Sequence, residues 1–229
     1  MKNIRKAYII AFFANFALCK VEKMKKTIYN KFDKKLISSL PRVLFEGRII
    51  TILTAGETDK AVDYLLSMPI LGIDTETRPS FKRGITHKVA LLQVSTFDTC
   101  FLFRLNHTDL TPALIRLLED KNVPKIGLSL NDDIHSLQGR KLFKPGYFID
   151  LQKHVNEIGI EDMSLQKLYA NLIGQRISKS QQLSNWENDI LQEKQKRYAA
   201  TDAWACIMLY EELVRLKTTG DYTLMKVTE

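Results

Sequence analysis

Cysteine is scarce in this chain, three in 229 residues, and Cys19, Cys100 and Cys206 stand far apart. No CxxC or Cys/His cluster occurs. That excludes a disulfide framework and a zinc site as organising devices, and it suits a reducing compartment. Internal repeats and low-complexity tracts are absent too, which excludes a repeat architecture. Long apolar runs are also missing. The longest, from Ala7 to Cys19, is too short for a membrane-spanning helix. It has the look of a signal-peptide core, but Asn15 interrupts it and no clear cleavage region follows. An amphipathic helix is a second reading of the run. A third makes Met24 the natural start.

What is present is an uneven basic charge. The net charge is +8, yet residues 1–48 carry 12 Lys/Arg against 3 Asp/Glu, and residues 49–229 carry 22 against 23. The later part is therefore not basic overall, so phosphate binding there needs a local patch or bound metal rather than a general field. The basic start adds non-specific attraction to nucleic acid, or is simply a solvated extension. The expected division is a basic extension over 1–44 and one folded domain over 45–229.

From Arg48 onward the pattern is regular. RIITIL, PILGIDTET, KVALLQVST, TCFLFRL and KIGLSL read as strands. TDKAVDYLLSM, LTPALIRLLED, NDDIHSLQGRKLF and MSLQKLYANLIG read as helices, and a long last helix runs over about 192–216. GYFIDLQ reads as a strand or an extended piece. This order predicts an α/β fold, a mixed β-sheet flanked by helices on both sides.

Three acidic features stand out. In GIDTET, Asp74 and Glu76 are two apart on a strand, so both point to one face. Two carboxylates there need a cation between them or a shared proton, unless the strand simply ends in solvent. In LSLNDDIHSL, Asp133 falls on the apolar stripe with Leu130, Ile134 and Leu137. A solvated first-turn acid is the competing reading. In RYAATDAWAC, Tyr198 and Asp202 are four apart on one helix face. Alanines around them keep that helix thin. A Tyr–Asp hydrogen bond closing the face is the plain alternative.

Taken in order, D-x-E on a strand, an Asp at a helix start and Y-x-x-x-D on a late helix resemble the DEDD superfamily of 3′–5′ exonucleases, in its tyrosine-bearing branch. Within it the chain resembles the Werner syndrome helicase exonuclease domain and ribonuclease D. KVALLQV, QLSNWEND and YAATDAWA extend the likeness, which covers roughly residues 45–217. The resemblance implies a ribonuclease H-like fold and a free-standing nuclease domain. It implies that Asp74, Glu76, Asp133 and Asp202 hold two divalent cations, Mg²⁺ or Mn²⁺, with Tyr198 bonding the attacking water or the scissile phosphate. The expected partner is nucleic acid with a free 3′ end, with no membrane, in the cytoplasm. The expected product is a nucleoside 5′-monophosphate, with DNA favoured over RNA. A ribonuclease D-like RNA-processing enzyme, an endonuclease and a silent binding module on the same fold are the alternatives. Lys82, Arg83 and Lys88 are candidate phosphate contacts or a solvated loop. Trp186 is a candidate base-stacking residue or a core anchor, and Gln93 is expected only to pair backbone groups.

Overall fold

The computed structural model describes residues 25–227. The apolar N-terminal run and the choice of start lie outside them. Chain order opens with β1 (Lys26–Tyr29) and a one-turn helix, α1 (Lys34–Ile37). Then come β2 (Arg48–Ile52), α2 (Ala55–Leu65), β3 (Leu71–Thr77), β4 (Val89–Ser95) and β5 (Thr99–Arg104). A short α3 (Leu105–Thr108) leads to α4 (Pro112–Glu119), β6 (Lys125–Gly127), α5 (Leu130–Gln138) and β7 (Phe148–Asp150). The chain continues through α6 (Leu151–Asn156), α7 (Leu165–Ile173), the long α8 (Glu193–Thr219) and β8 (Tyr222–Met225).

The main sheet has the order β2-β5-β4-β3-β6-β7. β3, β4 and β5 are antiparallel neighbours, while β2, β6 and β7 each run parallel to the strand they join. The fold is thus the expected mixed sheet. Strand alternation sorts its two faces. Ile73, Leu92, Val94, Phe101 and Phe103 pack with α2, α4 and α5. Leu91, Cys100 and Leu102 pack with Tyr198, Ala199 and Ala200 of α8. β3 is the central strand between these layers.

α8 lies very close to β3. A Cβ on Gly72 would sit 1.9 Å from the carbonyl oxygen of Ala203, so strand and helix touch backbone to backbone. Small residues on both sides permit this. Gly72→Val forces the two elements apart, and overpacking of this kind costs about 3 kcal/mol. The expected result is a lower urea midpoint with an unchanged slope; an unaltered midpoint would show that the contact is slack.

One element reading is corrected and a second is narrowed. The helix after β2 begins at Ala55 rather than near Thr58, because Thr54 and Glu57 form a capping box, each side chain accepting from the other's backbone N–H. GYFIDLQ is only a three-residue strand, because the Asp150 side chain accepts from Gln152 N–H and starts α6 at once. The boundary expected at residue 45 also cuts through packed chain. β1 pairs in parallel with β8, and Ile28 and Phe45 are buried. The Asn171 side chain holds the N–H and C=O of Tyr29 at 2.9 and 2.7 Å. Arg176 Nε donates to Leu40 O at 2.9 Å. Residues 26–44 pack across the domain as a strap. Among the described residues, no helix is long and apolar enough to cross a membrane.

Candidate active site

β3 carries the first two acids toward α8. Asp74 and Glu76 share one face, and Thr75 between them points to the other. From above, α8 brings Asp202, which is buried. Single carboxylate oxygens of Asp74, Glu76 and Asp202 all lie within 4.8 Å of one another. The close Gly72–Ala203 contact makes this spacing possible, since Ala203 is the next residue after Asp202.

Asp133 does not join that trio. α5 packs on the opposite face of the sheet, and Asp133 there accepts a hydrogen bond from the Thr75 hydroxyl. It still acts on the cluster, because its charge raises the pKa of Asp74. α5 itself starts from Ser129, which has a left-handed φ of 61°. Asp150 holds that turn, its oxygens accepting from the N–H groups of Ser129 and Leu130 at 3.1 and 3.0 Å.

Burial dominates the electrostatics. It pushes the Glu76 carboxyl up to about 10, helped by the charges of Asp74 and Asp202. Asp74 is also raised well above the usual range, by burial and then by Asp133 and Asp202. Asp202 is raised to about 7 by burial, against an opposing hydrogen bond from Tyr198 and the charge of Lys179. Asp133 is raised to about 6 by burial, against the Thr75 hydrogen bond. A cluster that holds protons so firmly is one that a cation would relieve. The Oδ1 atom of Asp202 is buried without a hydrogen-bond partner. An all-carboxylate donor set with an unsatisfied oxygen fits a hard divalent cation such as Mg²⁺ or Mn²⁺.

Tyr198 lies one turn before Asp202. Its hydroxyl is held protonated, raised first by burial and then by the charges of Asp202 and Glu76. It is therefore a donor at neutral pH, not a base.

The remaining candidates separate clearly. Gln93 faces Asp74 across the β3–β4 ladder, and its side-chain amide donates to Asp74 Oδ2 at 3.5 Å. It does more than the backbone pairing expected of it. Lys82, Arg83 and Lys88 are exposed on the segment between β3 and β4. Trp186 is fully buried, its ring centroid 6.0 Å from that of Tyr198. No face is left free for a base, so the stacking role is withdrawn and the core-anchor reading stands. Arg104 pins the loop around it by donating to the carbonyls of Asn188 and Asp189. Sequence reasoning missed Thr75 and Lys179. Thr75 carried a signal, because it is the strand residue facing α5.

The central strand, its paired acids and the acid-bearing helix laid across one face define an α/β domain of the ribonuclease H-like class. A family model described as 3′–5′ exonuclease matches residues 49–216, and the chain belongs to that family of nuclease hydrolases. It is 31% identical over 205 residues to the mouse bifunctional 3′–5′ exonuclease/ATP-dependent helicase WRN, covering 85% of this chain and 15% of that protein. An Arabidopsis thaliana 3′–5′ exonuclease is 31% identical over 210 residues, covering 82% of this chain and 71% of that one. Among solved structures, the Aedes aegypti Nibbler EXO domain superposes with a TM-score of 0.69 at 21% identity, over 77% of this chain and 92% of that one. Escherichia coli RNase D, an exoribonuclease, gives 0.67 at 20%, over 76% and 46%. At these identities the two structures speak for the fold alone.

Proposed function

We propose that the chain is a metal-dependent 3′–5′ exonuclease that releases nucleoside 5′-monophosphates from 3′ ends, with DNA favoured over RNA. The observation that carries this reading is the meeting of Asp74, Glu76 and Asp202 within 4.8 Å in a chain of the 3′–5′ exonuclease family. Asp74, Glu76 and Asp202 are the residues that would hold cations, with Asp133 supporting from the other face through Thr75. Divalent cations bound by these acids supply Lewis-acid charge to the scissile phosphate and its attacking water. Tyr198 donates a hydrogen bond and fixes the orientation of the attacking water or phosphate. Alanines of α8 pack with Trp186 and Leu91 around Tyr198 and hold it in place.

The preference for DNA is supported by the 31% identity to the mouse exonuclease/helicase. Cys100 and Cys206 are buried free thiols, which suits a reducing compartment such as the cytoplasm. Matched DNA, RNA and recessed-duplex substrates, labelled at the 5′ end and incubated with Mg²⁺ or Mn²⁺, test the proposal. A ladder shortening from the 3′ end is expected, faster on DNA. Internal cuts or silence on every strand would overturn it.

Tyr198→Phe keeps the ring against Trp186 and removes only the hydroxyl. Losing an orienting contact typically costs about 100-fold. The expected result is that drop in kcat with KM and metal affinity little changed. A fully active variant would remove Tyr198 from the reaction.

A further inference from the structure

Beside the acidic cluster lies a cavity of about 240 Å³ with a different character. Its walls come from three separate stretches: the N-terminal strap, the 177–180 segment after α7, and the first turns of α8. Arg42, Lys194 and Arg197 are its cationic side chains, and Ser178 and Ser180 add hydroxyls. One acid, Glu193, shares the lining, but Lys196 already binds it. All three cations are exposed at the surface. None of the three is in a salt bridge among the described residues, though the charge of Arg197 also bears on Glu193.

The cavity is joined to the reaction centre rather than remote from it. Tyr198 and Thr201 line its inner wall. The same Tyr198 hydrogen-bonds Asp202, so one side chain borders both spaces. Lys179, in the same 177–180 segment, is close enough for its charge to act on Asp202. The cluster repels phosphate unless cations are bound, whereas the cavity attracts it. Positive charge at this spot is also local, since residues 49–229 carry no net positive charge.

We propose that this cavity is a nucleotide-phosphate site, in which Arg42, Lys194 and Arg197 grip a phosphate one step from the bond being cut. This rests on the exonuclease reading and extends it to a substrate contact. The ligand chemistry is a phosphate on a nucleoside, either within the strand or on the released 5′-monophosphate. Arg guanidinium suits this because its planar fork meets two phosphate oxygens at once. Arg42 gives the site a distinctive source. It stands upstream of the segment that matches the family model, 49–216, on the strap that Asn171 and Arg176 hold in place.

The test compares Arg42→Ala/Arg197→Ala with a control of equal charge loss, Lys60→Ala/Lys121→Ala, both on exposed side chains. Anisotropy of a dye-labelled single-stranded DNA, read without divalent metal, gives Kd independently of turnover. The pocket variant is expected to bind about 10-fold more weakly at low salt, with a log–log salt slope shallower by about one unit. The control should change both far less. Adding unlabelled nucleoside 5′-monophosphate separates the two sources. If it competes with DNA in the wild type and not in the pocket variant, the site holds product. If it competes in neither, the site holds a phosphate of the strand. Pocket and control variants that bind DNA alike would overturn the proposal. Failure of the exonuclease reading is seen separately, as a wild type that binds DNA but shortens no strand with Mg²⁺ or Mn²⁺.

Discussion

Asp74→Asn is expected to lower the rate of strand shortening at least about 1,000-fold and, without metal, to leave the fold as stable or more so. The two halves share one cause. Asp74 lies in the cluster with Glu76 and Asp202, and the charge of Asp133 also bears on it. Replacing it removes a cation-holding oxygen, and the Lewis-acid stabilisation lost is worth several kcal/mol, or about three powers of ten in rate. The same change replaces a buried acid whose ionised form burial and its acidic neighbours already disfavour, so the metal-free protein loses no favourable interaction. Steady-state rates and metal-free melting curves on the same preparation check both. A variant with more than a tenth of the wild-type rate would take Asp74 out of the centre. A metal-free variant that melts well below wild type would make Asp74 a structural acid instead.

Raising the pH should destabilise the metal-free protein, and divalent cations should undo the loss. The usual carboxylate value of 3.8 is raised to about 6 at Asp133 and about 7 at Asp202. In each case the folded state keeps a proton that the unfolded chain has already released. Folded protein therefore binds more protons between about pH 4 and 7, and stability falls as pH rises through that window. Glu76, raised to about 10, and Asp74, also raised, carry the fall on beyond it. Each pH unit of separation is about 1.4 kcal/mol, so the melting temperature should fall by about 10 °C from pH 4.5 to pH 8. Mg²⁺ or Mn²⁺ at a hundred times its Kd adds about 2.7 kcal/mol. Because protons compete with it, its stabilising effect should be larger at pH 8 than at pH 5. A metal-free melting temperature that stays flat across this range would show that the acids are not jointly buried.

The sheet strands from β2 to β6 were legible because each is a run of apolar, often β-branched residues bounded by turns. α8 was legible because its small and apolar residues hold helical spacing over many turns. β1 and β8 were not. KTIY and YTLM are four residues each, half-exposed, and about 200 positions apart, so neither shows a pattern without the other. The Thr54–Glu57 capping box is written in TAGE, one turn before the apolar spacing of that helix begins. At the site, alternation along β3 put Asp74 and Glu76 together, and helical spacing put Tyr198 with Asp202. The apolar stripe rightly turned Asp133 toward the sheet, but a stripe does not say which face of the sheet. Trp186 shows a further limit: composition reveals an aromatic ring, while only packing reveals whether its faces are free.

The pairing of β1 with β8 has a mechanical side. The two strands are parallel, in register from Lys26 with Tyr222 to Tyr29 with Met225. Tension applied through residue 25 and residue 227 pulls them in opposite directions along their shared axis. The ladder is then loaded in shear, with its hydrogen bonds strained together rather than opened one at a time. Tension between those two points in the chain would meet this clasp first. It lies across the sequence from the acids, so the strap bearing Arg42 is anchored at the point where pulling force would enter.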